Sequence, residues 1–224
     1  MAQIITVFHF SREPSHQATT YTGATGDVSG TSNLVFKAGF ATTKIRFGYA
    51  NYTGSGPAAE SATTGTVNVQ AAFQAVSETG VPVQLPIGGS TALTAVAPGQ
   101  IVYTDWITVS IAAGTYCAIR TYATWAVGAV FPLVASQAFN GGSGYTGGGG
   151  DNYVQHAVTT PANANGSNQL LTTGSYTTWN SAYRSLMYGP FIVEGYASDG
   201  TVRPIMVGVG DSLTAGVGGG TGDG

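Results

Sequence analysis

Charge is scarce in this chain: Asp, Glu, Lys and Arg together make up only 8% of it, with a net charge of -3. The seven cations, Arg12, Lys37, Lys44, Arg46, Arg120, Arg184 and Arg203, are scattered along the sequence. A nucleic-acid binder concentrates such residues on one face, so this class is disfavoured. Disorder is disfavoured too, because it goes with high charge and few aromatics, whereas aromatics are 11% here. Cysteine is limited to Cys117, which excludes an internal disulfide and leaves no set of thiolates for a metal. Flanked by Tyr116 and Ile119 in a strand-like pattern, it reads as a small buried hydrophobe. No run approaches the ~18 apolar residues of a membrane-spanning helix. The opening residues Met1 to Phe10 lack the basic and long apolar regions of a signal peptide; they read as a first strand. A neutral surface of Thr, Ser, Asn, Gln and Gly suits a secreted, cell-surface or phage-borne protein.

What is present is strand periodicity. Ile45, Phe47 and Tyr49 alternate with Lys44, Arg46 and Gly48. Val67, Val69, Ala71 and Phe73 alternate with Asn68, Gln70 and Ala72, and Val81, Val83, Leu85 and Ile87 repeat the same period. Each predicts a strand with one buried and one wet face. Turn clusters separate them at 51–57, 78–80, 88–90 and 98–99. Further strands are expected over 101–111, 115–124 and 189–196, and 58–63 could make one helical turn at most. Many short strands at regular spacing indicate an antiparallel β-sandwich, with a jelly roll as one form of it. The region 126–182 breaks the pattern with a glycine-rich stretch at 141–150. A connection that long is uncommon in a compact domain; it is expected to run over one face, with short strands near 154–158 and 169–172.

Near the other end, Ile205 to Val209 form a short apolar run that leads into Gly210-Asp211-Ser212-Leu213-Thr214-Ala215-Gly216. A serine on a tight turn after a strand is placed like a nucleophile. The stretch resembles the first sequence block of the GDSL (SGNH) hydrolases, which are esterases, lipases and carbohydrate deacetylases. The resemblance covers about twenty residues. It implies that Ser212 is the nucleophile and that its backbone N–H donates to the oxyanion, with Gly210 and Asp211 supporting the turn. It also implies further oxyanion donors and a D-x-x-H block downstream. A serine hydroxyl is a weak nucleophile without an adjacent base, and His9, His16 and His156 all precede Ser212. The expected organisation is therefore an accessory β-sandwich over 1–197, a linker at 198–202, and over 203–224 only the first strand and nucleophile turn of an α/β hydrolase domain. Such a strand lacks the parallel neighbours that bury it in a complete enzyme.

Other patterns are weaker. The glycines at 208–210 and 216–220 lack the lysine of a phosphate loop and the third glycine of a dinucleotide fingerprint. Asp151-Asn152 offers one carboxylate where Ca²⁺ wants six to eight oxygens, so no metal or organic cofactor is expected. His9 and His16 flank 12–14 with no second ligand cluster. Asn51-Tyr52-Thr53 and Asn165-Gly166-Ser167 match glycosylation sequons, which carry meaning only in a eukaryotic secretory context. Aromatic rings stack on sugar rings, and Tyr145, Tyr153 and Trp179 lie in the long polar region, where they are carbohydrate-binding candidates. Trp106 and Trp125 sit inside strand patterns and are expected in the core. Two functions stay open: the start of a GDSL-type ester hydrolase acting on an ester or acetylated carbohydrate, or a non-enzymatic carbohydrate-binding or surface β-module whose Gly-Asp-Ser-Leu is only a turn.

Overall fold

In a computed structural model, residues 5–9, 20–22, 28–53, 61–75, 80–132, 168–171, 188–190 and 192–200 are described. Among them every regular element is a strand, as the two-residue periods require. The order is β1 (Ile5–His9), β2 (Thr20–Thr22), β3 (Ser29–Lys37), β4 (Thr42–Ala50), β5 (Tyr52–Thr53), β6 (Ser61–Ala62), β7 (Val67–Gln74), β8 (Val83–Leu85), β9 (Thr94–Val96), β10 (Ile101–Tyr103), β11 (Ile107–Ile111), β12 (Tyr116–Trp125), β13 (Val130–Pro132) and β14 (Ile192–Ala197).

Two antiparallel sheets carry the fold. The first runs β1-β14-β4-β10, with β11 also on β4; the second runs β3-β12-β7-β8, with β9 also on β7. β10 and β11 lie end to end along one edge of β4, and β8 and β9 do the same along β7. The connections from β3 to β4, β4 to β7, β9 to β10, β11 to β12 and β12 to β14 all change sheet. The short pairs β2–β13 and β5–β6 stand apart from these sheets.

Alternation puts the apolar row of each sheet inward. Ile45, Phe47 and Tyr49 of β4 and Val193 of β14 face Val67, Val69, Ala71 and Phe73 of β7 and Cys117 and Ile119 of β12, all within one buried cluster. Phe47 and Phe73 meet across the interface with ring centres 5.6 Å apart. Two polar groups inside are matched as burial demands: the Tyr49 hydroxyl shares a 3.0 Å hydrogen bond with Thr121 Oγ1, and Tyr188 Oη donates to the Ala50 carbonyl at 2.9 Å. Cys117 is in this core, as its neighbours suggested, and its thiol reaches the Ala75 carbonyl at 3.2 Å. Burial pushes that thiol up to about 12.

Some expectations need correction. Only Leu85 and Ile87 of the 81–87 repeat are buried; Val81 and Val83 are 72% and 60% exposed. β8 is an edge strand that meets β7 over 71–73 only, so the residues leading into it overhang the sheet. The expected strand at 101–111 is interrupted at 104–106, and the segment around 169–172 forms a turn at 170–171 rather than a strand. β3, the nine-residue partner of β12, has no strand signature in the sequence, because its opening Ser-Gly-Thr-Ser-Asn carries no apolar alternation.

Asn51 is an internal bracket. It is fully buried and its Nδ2 donates to the Gly65 and Val96 carbonyls at 2.7 and 2.8 Å. Its Oδ1 accepts from Thr63 Oγ1 at 2.6 Å. The end of β4, the approach to β7 and the end of β9 are thereby tied together. With both amide hydrogens engaged inside the protein, this sequon asparagine is inaccessible to a glycan transferase; the Asn165 sequon lies outside the described residues.

Candidate functional site

The residues singled out for catalysis, Ser212 with Gly210 and Asp211, lie outside the described residues, as do the carbohydrate-binding candidates Tyr145, Tyr153 and Trp179. The expected strand at 154–158 and the acid Asp151 lie outside them as well. Among the described residues no three His, Cys, Asp or Glu side chains gather as a cation site, and no helix is long and apolar enough to cross a membrane.

The densest grouping of chemistry within the described residues is on the outer face of the first sheet. It begins with the wet row of β4. Lys44, Arg46 and Gly48 stand directly opposite Tyr196, Glu194 and Ile192 of β14, and cross-strand neighbours in register interact. Arg46 Nε donates to Glu194 Oε2, and Lys44 Nζ sits 5.9 Å from the centre of the Tyr196 ring.

On the other side of β4, a bulge supplies the aromatic partners. Tyr103 pairs with Gly48 but Ile107 pairs with Ile45, so β10–β11 spends one residue more than β4 between the same points. The ladder is not left open. Thr104 N donates to the Phe47 carbonyl at 2.9 Å, and Phe47 N donates to Thr104 Oγ1 at 3.0 Å. Asp105 accepts from Gly88 N at 3.1 Å and Gly89 N at 2.8 Å. Both glycines have positive φ, the conformation a two-residue hairpin turn requires and glycine adopts without strain. Val102 before the bulge and Ile107 and Val109 after it all pack against the core, so the extra residue reverses the parity between them.

That reversal corrects the reading of Trp106. Strict alternation from Val102 would point it inward; the bulge turns it outward, and it is absent from the core cluster. Trp125 packs against that cluster, as expected, with its ring centre 4.7 Å from Phe131. Trp106 instead meets the Tyr196 ring edge-on at 4.8 Å. The Arg46 guanidinium carbon lies 4.5 Å from the Tyr103 ring centre and 4.6 Å from that of Trp106. The result is an alternating row, Tyr103, Arg46, Trp106, Tyr196, Lys44, with Glu194 holding Arg46 in place. Gly48 is part of the floor: a Cβ there would come within 2.9 Å of the Tyr103 ring, so glycine lets that ring lie over the strand. The Tyr103 hydroxyl is raised above its ordinary value, first by burial and then by Glu194, with Arg46 opposing.

The outer face of the second sheet is built differently. Arg120 is almost fully buried there, its Nη2 donating to Gln74 Oε1 at 3.3 Å and its Nη1 to the Gln169 carbonyl at 3.5 Å. Gln169 N donates to Thr31 Oγ1 at 3.1 Å, and Asn168 Nδ2 to Gln70 Oε1 at 3.1 Å. Within the long 126–182 region, the stretch 168–171 thus lies over this face, held by side chains of β3, β7 and β12, whereas β13 places Phe131 in the core.

In comparisons with known proteins, no family model and no protein of curated function matches the chain.

Proposed function

We propose that this chain is the N-terminal part of a GDSL-type serine ester hydrolase, in which an accessory β-sandwich of jelly-roll connectivity precedes the nucleophile block. The observation that supports this most is the position of β14. It lies between β1 and β4 in the first sheet, so the sandwich needs the chain up to Ala197 and has its central strands filled there. Ser198 N then donates to the Ala41 carbonyl, and a turn closes at Gly200. The Gly210-Asp211-Ser212-Leu213 motif follows only after that closure. The jelly-roll reading rests on the strand orders: with β10/β11 and β8/β9 each taken as one interrupted strand, two four-stranded sheets alternate along the chain and only the β7-to-β8 connection stays within a sheet.

In this reading Ser212 attacks an ester carbonyl, its own N–H steadies the oxyanion, and the base and orienting acid come from downstream sequence. The chain itself contains no histidine after Ser212, so it should be inactive. Hydrolysis of p-nitrophenyl acetate by the chain and by its Ser212→Ala variant should be indistinguishable, and a longer product of the same gene carrying a D-x-x-H block should show turnover that Ser212→Ala abolishes. Serine-dependent turnover by this chain alone would reject the assignment of roles. The second reading, a carbohydrate-binding module in its own right, is favoured by one observation, the partly exposed aromatic row on the first sheet.

A further inference from the structure

The outer face of the first sheet has features that packing alone does not call for. A sheet face turned to solvent is adequately served by Thr, Ser and Gln, which this chain has in plenty. Here, in a protein with only 8% charged residues, Lys44, Arg46 and Glu194 are drawn together with Tyr103, Trp106 and Tyr196. Three separate segments contribute, and a bulge is required to bring Trp106 to them. Arg46 and Glu194 retain 26% and 17% side-chain exposure. Their ion pair engages Arg46 Nε and Glu194 Oε2; among the described residues the Arg46 Nη groups meet no acceptor and Glu194 Oε1 meets no donor. Hydrogen-bond donors and an acceptor therefore lie side by side between partly exposed rings.

We propose that this face binds a neutral polysaccharide, with a sugar ring stacked against Trp106 and Tyr196 and neighbouring hydroxyls bridged by Arg46 Nη and Glu194 Oε1. An aromatic ring supplies a large apolar surface with a polar rim at little entropic cost, which matches the C–H face of a pyranose. A hydroxyl both donates and accepts, so a pair of them satisfies a guanidinium and a carboxylate together. Charge decides for a neutral glycan over an acidic one. Arg46 is neutralised by its ion pair with Glu194, so of the charges in the row Lys44 alone is left over, seated at the Tyr196 ring. The face therefore offers only a weak positive field to attract uronates. This inference deepens the carbohydrate-binding reading and is independent of the hydrolase one: losing the role assigned to Ser212 would leave it untouched.

The test is affinity electrophoresis of the full chain through gels containing xylan, mixed-linkage β-glucan, xyloglucan or galactomannan, with polygalacturonate and alginate as acidic arms. At least one neutral polymer should retard the protein, and the retardation should persist at high ionic strength. Trp106→Ala and Glu194→Gln should each weaken it roughly tenfold or more, as expected for removing a stacking ring or a charge-assisted hydrogen bond. Glu194→Gln keeps the shape of the side chain and guards against a Trp106→Ala variant that fails to fold; thermal unfolding of each is measured alongside. No retardation by any neutral polymer would overturn the proposal. So would retardation unchanged in the folded variants, or retardation by acidic polymers only, lost in salt.

Discussion

Asn51 shows how much one polar side chain can hold in this protein. Its amide satisfies two carbonyls and one hydroxyl in a fully buried place. Asn51→Ala leaves the Gly65 and Val96 carbonyls without those donors, at roughly 1–3 kcal/mol for each unsatisfied group. Urea denaturation should therefore show a loss of about 2–6 kcal/mol at an unchanged m-value. Cys117, Tyr49 and Tyr188 supply a second prediction. Burial raises all three, so they stay neutral in the fold while the unfolded chain ionises near the ordinary values, 9.0 for the thiol and 10.0 for the phenols. The unfolded state then binds fewer protons than the folded one, and stability falls as pH rises. Their contribution is complete below about pH 9 and is lost progressively toward about pH 12. The melting temperature should decline across that window, less steeply in Cys117→Ala, and the native thiol should resist aromatic disulfide reagents until the protein unfolds.

At the scale of elements, the bulge between β10 and β11 places the outer-face row. Thr104 replaces the missing ladder partner of Phe47 on both its N–H and its carbonyl. Thr104→Val keeps the shape but strands the Phe47 N–H, a change worth about 1–3 kcal/mol. It should also loosen the turn that aims Trp106, so the tryptophan emission of this variant should shift to the red while far-UV circular dichroism stays β-like. The wet row of β4 was legible in the sequence because Lys44, Arg46 and Gly48 alternate with apolar residues. Tyr103 and Trp106 were not legible as their companions. A one-residue bulge leaves no local mark on an apolar alternation; it shows only when both flanking strands are set against a common partner.

For the molecule as a whole, β14 is the closing piece. It pairs with β1 on one side and β4 on the other, and Val193 is fully buried in the core. A chain ending at Gly200 should melt within a few degrees of the full chain, because every described strand of both sheets is retained. A chain ending at Pro190 should fail to fold, because β1 loses its neighbour and β4 loses its longer pairing. Comparing the two by thermal unfolding tests whether the sandwich is complete before the Gly210-Asp211-Ser212-Leu213 motif. A large loss of stability in the chain ending at Gly200 would place later residues inside the sandwich.

The sequence by itself determined the strand class and the inward rows, because a period of two puts alternate side chains on opposite faces whatever the partner. It also determined that Cys117 has no second cysteine in this sequence to pair with and that His9, His16 and His156 all precede Ser212. Only the tertiary structure decided which strands are neighbours, since β14 joins β4 across 142 positions between Ile192 and Ala50 at their nearest ends. Strand pairing of that range depends on which hydrophobic faces can be buried together, not on any local preference. For the same reason it alone decided that Arg46 meets Glu194 and that Trp106 faces outward. Those contacts are consequences of register, and register is a property of pairs of strands.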